Sequence, residues 1–338
     1  MTQRILFLFL YFSASLASAQ VFPEFGGERT GISIAAALKI GVGARSAGMG
    51  ETFVAIADDA SALYWNPAGI TQFKTNQALF GYTRWLSGLT HQSAQGVYHL
   101  DETNSLGVSM SILEIGSIPV TTEFQPRGTG ETFRMQDVNV GLTYARQFTE
   151  QFSAGVTLHY VHEVLGKATV GGVLFDAGTY YRTGLGTSRF AVAVSNFGGK
   201  MTPSGSVPTV GALPDFNGGT QSSFQSFDPP INFRIGFAME PINEETYHLT
   251  TSLQLNHPND NAENYCFGVE YWTKFLGSFP AEVSARGGWK INAGEENLSF
   301  GAGAFLPIAE PLGLSIDYSY SNFKTLGGVH RLSAGLRF

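Results

Sequence analysis

Cysteine is nearly absent from this sequence. One residue, Cys266, stands alone in 338, so no internal disulfide is available and a disulfide-stapled scaffold is excluded. Its setting, NYCFGVEY, alternates like a strand and assigns it the role of a small wall residue, not a reactive thiol. Charge is also scarce. Only 14% of residues are Asp, Glu, Lys or Arg, against about a quarter in ordinary soluble domains, and a soluble sandwich or propeller would carry more. Long apolar runs are missing after residue 19, so no later stretch can cross a bilayer as a helix. The seven histidines are scattered, and His159 and His162 fall on opposite faces of a strand, which is wrong for a shared metal. Gly-x-Gly runs recur, but none opens a helix after a strand. No nucleophile, base and metal set can be assembled, so neither an enzyme nor a cofactor is expected. A formal charge of −7 argues against a nucleic-acid partner.

Glycine (41) and phenylalanine (27) are abundant. From Gln77 onward, apolar and polar residues alternate with period two. In 104–113, Leu106, Val108, Met110 and Ile112 oppose Ser105, Gly107, Ser109 and Ser111. The polar face is mostly Ser, Thr, Gly and Asn, as in the lumen of a membrane barrel. Counting such stretches gives about fourteen strands, among them 104–113, 136–147, 172–182, 231–240 and 264–272. The expected fold is all-β: a transmembrane antiparallel β-barrel over 76–338. Two long connections, 113–135 and 198–230, fall on the same side of it, which assigns that side to the outer surface and both termini to the periplasm. Residues 1–19 read as a signal peptide: Arg4, an apolar run, then Ala17-Ser18-Ala19 before a mature start at Gln20. Asp137, Asp176, Arg234, Glu270, Glu282, Arg286, Lys290, Asp317, Arg331 and Arg337 fall on lumen faces, where a paired structural network is the expected role. In the second long connection, Phe216, Phe224 and Phe227 are candidate contacts for a partner or ligand. Leu336 and Phe338 close a final strand of the kind that the barrel-assembly machinery reads.

Residues 20–75 read as a plug inside the barrel. Gly41, Gly43, Gly48 and Gly50 permit tight turns. Asp58 and Asp59 precede a short helical run as capping carboxylates, and Trp65-Asn66-Pro67-Ala68-Gly69 ends it in a preset turn. The stretch GARSAGMG followed by DDASALYWNPAG resembles the signature of the PorV/PorQ family of outer-membrane proteins, which is similar in fold to the FadL long-chain fatty-acid transporters. The resemblance implies an outer-membrane location in contact with lipid, and a hatch formed by the Asn66-Pro67-Ala68 box. It also implies partnership with the type IX secretion translocon and its cargo proteins. The alternative it leaves open is a channel for a hydrophobic small molecule caught by the outer loops and passed to an apolar pocket near Trp65.

Overall fold

The computed structural model describes residues 31–205, 207–208, 220–221, 223–275, 281–309 and 311–338. Fourteen antiparallel strands close into a barrel. In chain order they are β1 Gln77–Arg84, β2 Thr90–His99, β3 Asn104–Pro119, β4 Thr132–Gln147, β5 Phe152–Leu165, β6 Ala168–Arg182 and β7 Arg189–Phe197. The second half comprises β8 Asn232–Asn243, β9 Tyr247–Pro258, β10 Asn264–Phe275, β11 Ala281–Ile291, β12 Leu298–Ala309, β13 Leu312–Asn322 and β14 Gly328–Arg337. The seam joins β1 to β14, from Gln77 opposite Arg337 to Arg84 opposite His330. The Phe338 amide adds one more bond, to the Asn76 carbonyl.

The alternation read from the sequence sorts the wall as expected, with its polar side inward. On β14, Arg331 and Ser333 are buried, while Leu332 is 51% exposed. Outward residues of adjacent strands line up into apolar rows such as Ile316, Ala334, Phe80, Ala94 and Met110. A soluble protein would hide such a belt. Here it is the surface that faces hydrocarbon.

Several strands are longer than the alternation indicated. β3 runs on to Pro119 and β4 starts at Thr132, so the expected loop 113–135 is a protruding hairpin with only 120–131 as its tip. A register shift between Ile115 and Ile118 breaks the period-two pattern there and hides the continuation from the sequence. β6 likewise starts at Ala168 rather than 172, and β10 continues to Phe275. One end of the barrel carries this hairpin and the 198–231 connection; the other carries short turns and Phe338.

Residues 31–75 pack inside the ring. They form a 3-10 turn (Ala36–Lys39), helix α1 (Ala44–Gly48), helix α2 (Ala62–Trp65) and a second 3-10 turn (Pro67–Thr71). That is two short helices where the sequence indicated one. Phe53, Val54, Ala55 and Ile56 have no exposed surface. The described chain begins at the long-connection end, where Ser33 bridges Asp228 and Lys39 pairs with Asp260. It reaches the short-turn end at Asn76. Residues 1–30, with the signal segment, lie outside the described residues.

Candidate functional site

The inner segment meets the wall in two chemically different ways. Toward β10–β14 ion pairs are added to close packing, since a side-chain carbon at Gly268 or Gly288 would collide with Met49 or Gly50. Arg45, on α1, donates to both oxygens of Glu270, at 2.9 and 2.7 Å. It also pairs with Asp58 at 2.5 Å and Asp59 at 3.2 Å. Glu270 accepts a further bond from Arg286 Nε at 2.5 Å, and Arg286 reaches Asp317 at 2.7 Å. Burial disfavours the Arg45 cation, but Asp58 and Glu270 outweigh that cost and hold it well above its ordinary pKa.

A second ionic cluster forms around Glu51, whose backbone takes φ 60°, a region non-glycine residues seldom adopt. Lys290 donates to Glu51 and Glu296, each at 2.5 Å, and Arg331 stands 3.7 Å from Glu51. Burial alone would raise the Glu51 carboxyl. Lys290 and Arg331 reverse the direction and hold it below the usual carboxylate range.

Toward β3–β6 the contacts around the Asn66 turn are steric and neutral, and one carboxylate, Glu163, accepts the Ala35 N–H at 3.0 Å. The Asn66 amide donates to the carbonyls of Val54 (3.0 Å) and Thr179 (3.1 Å). Its oxygen accepts the Ala68 N–H at 3.1 Å, which starts the 3-10 turn with Pro67 at its first position. Trp65 donates its indole N–H to the Val42 carbonyl at 2.9 Å. The wall makes room with glycine. A side-chain carbon at Gly155 would sit 2.6 Å from the Pro67 carbonyl carbon, and one at Gly178 would collide with the Asn66 amide.

The segment separates two cavities. The one on the long-connection side is about 210 Å³, with Lys39, Asp260, Asn256, Lys290 and Glu296 in its lining. Arg234 lies 5.3 Å over the rings of both Tyr64 and Trp65 there. Burial pushes the Tyr64 hydroxyl, which donates to the Leu38 carbonyl at 3.0 Å, up to about 12. The cavity on the short-turn side is about 250 Å³ and includes Asp58, Asp59, His248, Trp272, Glu282 and Arg337. Both linings are strongly charged, so the apolar pocket expected near Trp65 is a polar one.

The structure therefore joins Asp58, Asp59, Trp65, Asn66, Pro67, Ala68 and Gly69 in one interior unit. Asp59 accepts the Ser61 N–H at 2.8 Å, a local turn rather than the helix cap anticipated, and Asp58 serves as an ion-pair partner. Phe224 is half-buried and Phe227 is exposed, its backbone paired with Met201; Phe216 lies outside the described residues. Leu336 and Phe338 are exposed at the short-turn end, where the Phe338 N–H bonds the Asn76 carbonyl. Cys266 is buried in the wall. Sequence reasoning passed over Arg45, Glu51 and Glu296. The only available signal was a lone charge among small residues, as in GARSAGMGE. Among the described residues, Glu270, Arg286, Lys290, Asp317 and Arg331 enter the paired network anticipated, whereas Glu282 faces Lys274, Arg337 lies over the Phe305 ring, and Asp137 Oδ1 is buried without a hydrogen-bond partner.

The architecture is similar to solved outer-membrane channels. The Pseudomonas putida toluene transporter TodX matches with TM-score 0.57 and 13% identity, over 88% of this chain and 97% of that one. The Ralstonia pickettii toluene transporter TbuX gives 0.56 and 13%, over 88% and 97%. A Pseudomonas aeruginosa FadL homologue gives 0.55 and 10%, over 88% and 98%. These likenesses concern the fold. No curated protein matches the chain. The family model described as "Type IX secretion system protein PorV" matches residues 27–258. A barrel of FadL type, an interior Asn-Pro-Ala turn and a match over most of the length converge: this chain belongs to the PorV family of type IX secretion system proteins.

Proposed function

We propose that this protein is an outer-membrane barrel that takes part in type IX secretion by receiving cargo at the cell surface, with its long connections outward and its inner segment as a standing seal. The observation that carries the reading, beyond the family, is the pair of charged cavities on either side of a buried segment. A hydrophobic passenger would have to cross ion pairs that are stable only while paired. Protein cargo instead meets the outer rim, where Phe224 and Phe227 offer apolar anchors of the kind that dominate interfaces. Partners under this reading are the translocon, the cargo and, during biogenesis, the barrel-assembly machinery acting on Leu336 and Phe338.

The second reading, a hydrophobic-compound channel, is favoured by the likeness to toluene transporters. One experiment separates the two. Replacing 201–227 with a short Gly/Ser turn leaves the wall intact, since such loops tolerate deletion. The secretion reading expects loss of surface-displayed cargo with unchanged uptake of hydrophobic compounds. The opposite result, with a lipid-like molecule co-purifying with the native protein, would replace it by the channel.

A further inference from the structure

The outer face of the wall is apolar through most of its height, but its upper edge changes character at the seam. Arg84 ends β1 and lies directly across from His330 of β14, which in turn lies across from Tyr320 of β13. Arg84, His330 and Tyr318 are exposed, while the neighbours Thr83, Arg331 and Ser319 are buried in the lumen. The row therefore projects outward. Two residues further down the strands it gives way to Tyr82 and Leu332, then to Phe80 and Ala334. A change from apolar to charged outward side chains is the mark of the level at which hydrocarbon gives way to headgroups.

Among the described residues the Arg84 guanidinium has no hydrogen bond or ion pair. The next carboxylate along its row is Glu114, beyond Thr90, two strand spacings or roughly 10 Å away. Its neighbour is fixed in place. Tyr318 Oη and His330 Nδ1 are 2.7 Å apart, and the Tyr320 ring flanks the imidazole at 5.3 Å. A Cβ on Gly328 would strike that Tyr320 ring, so glycine there leaves the ring its position. In the tautomer whose Nδ1 accepts from the phenol, the imidazole proton sits on Nε2 and supplies a second donor on the strand next to Arg84. An unpaired guanidinium at this depth with an N–H donor next to it matches one class of anion, the phosphate of a lipid headgroup, which arginine grips with two parallel bonds.

We propose that Arg84 and His330 form a binding site for the phosphate of a membrane lipid at the long-connection rim, beside the barrel seam. Assigning that rim to the outer leaflet rests on the orientation adopted under Proposed function; the phosphate chemistry does not.

The test uses the full chain in nanodiscs of a phosphate-free galactolipid doped with phosphatidylglycerol, bis-phosphorylated lipid A or dephosphorylated lipid A. Native mass spectrometry reads the lipid retained on the ejected protein. Heat-modifiable migration confirms that each variant is a folded barrel. Wild type should retain both phosphorylated lipids over the dephosphorylated one. Arg84→Gln should lower that retention about fivefold, the ratio equivalent to the ~1 kcal/mol of one cation near a lipid surface. His330→Gln should lower it less, and Arg84→Lys should restore part of it, because charge returns without the fork. Equal retention by wild type and Arg84→Gln overturns the proposal. So does equal retention of dephosphorylated lipid A. Full displacement by millimolar inorganic phosphate would show that the site takes the free ion and no lipid. Cargo display is read in separate cells, so failure of the lipid site and failure of the secretion reading are distinguishable.

Discussion

The inner segment is held by ion pairs and close packing on one side and, around Asn66, by neutral bonds and shape on the other. Toward β10–β14, Arg45 and Glu51 sit among Glu270, Arg286, Lys290 and Arg331. Toward β3–β6, Asn66 and Pro67 rest on Gly155 and Gly178 through neutral bonds and close contact. Ion pairs depend on protonation and on each partner's presence, and an enclosed one turns costly when half of it is removed. Steric fit depends on neither, and yields only to volume. The ion pairs are thus the contacts that chemical conditions can loosen, and the seat of Asn66 on Gly178 is one they cannot.

The largest effect expected is from Arg45→Met. It leaves Asp58, Asp59 and Glu270 without their shared cation, at a cost of about 3–5 kcal/mol. Thermal unfolding in detergent should fall accordingly, and adding Glu270→Gln should recover part of the loss. An unchanged melting point would mean that the ionic side contributes nothing.

Gly178→Val comes next. The new side chain has no space beside Asn66, and overpacking of this kind costs about 1–3 kcal/mol. Unlike the arginine change, it should not be rescued by neutralising any charge. Limited proteolysis should cut within 41–70 while the wall stays heat-modifiable. Protection equal to wild type would count against the steric seat.

Asn66→Ala is smaller. It strands the Val54 and Thr179 carbonyls and the Ala68 N–H, at about 1–2 kcal/mol for the bonds lost. Planar-bilayer conductance should rise from a silent barrel to a detectable leak. Silence would show that this turn does not limit flow.

The smallest effect is acidic loosening. Glu51 is held below its ordinary value, so its contribution is complete above the unfolded carboxylate range, near pH 4.3, and fades as pH falls through the folded value. Trp65 fluorescence should report loosening in wild type only in strong acid. In Glu51→Gln that pH dependence should shrink. A Gly178→Val protein should keep it, since its defect lies on the other side.

Much of the wall was legible in advance because alternation is local: each strand declares its two faces in its own residues. The bulge between Ile115 and Ile118 was not, because one irregular step inverts the pattern beyond it. The Asn66-Pro67 turn was readable from dihedral preferences alone. The Arg45–Glu270 pair joins residues 225 apart in the chain, and nothing local to either names the other. Gly155 and Gly178 could be placed in strands but not given a role, since a glycine's reason for being in a strand is the neighbour that approaches it.

The described chain passes from Ser33 at the long-connection rim to Asn76 at the short-turn end, inside a ring that β1 and β14 complete. That path constrains the order of events during biogenesis. Once Arg84 has zipped to His330 and Gln77 to Arg337, the N-terminal part can reach the far rim only by being drawn lengthwise through a closed ring. A sheet still open at the seam can instead curl around a segment already in place. The last ladder to form should therefore be the one between β1 and β14. A disulfide engineered across that seam in the nascent chain would then trap barrels with their N-terminal residues stranded at the short-turn end.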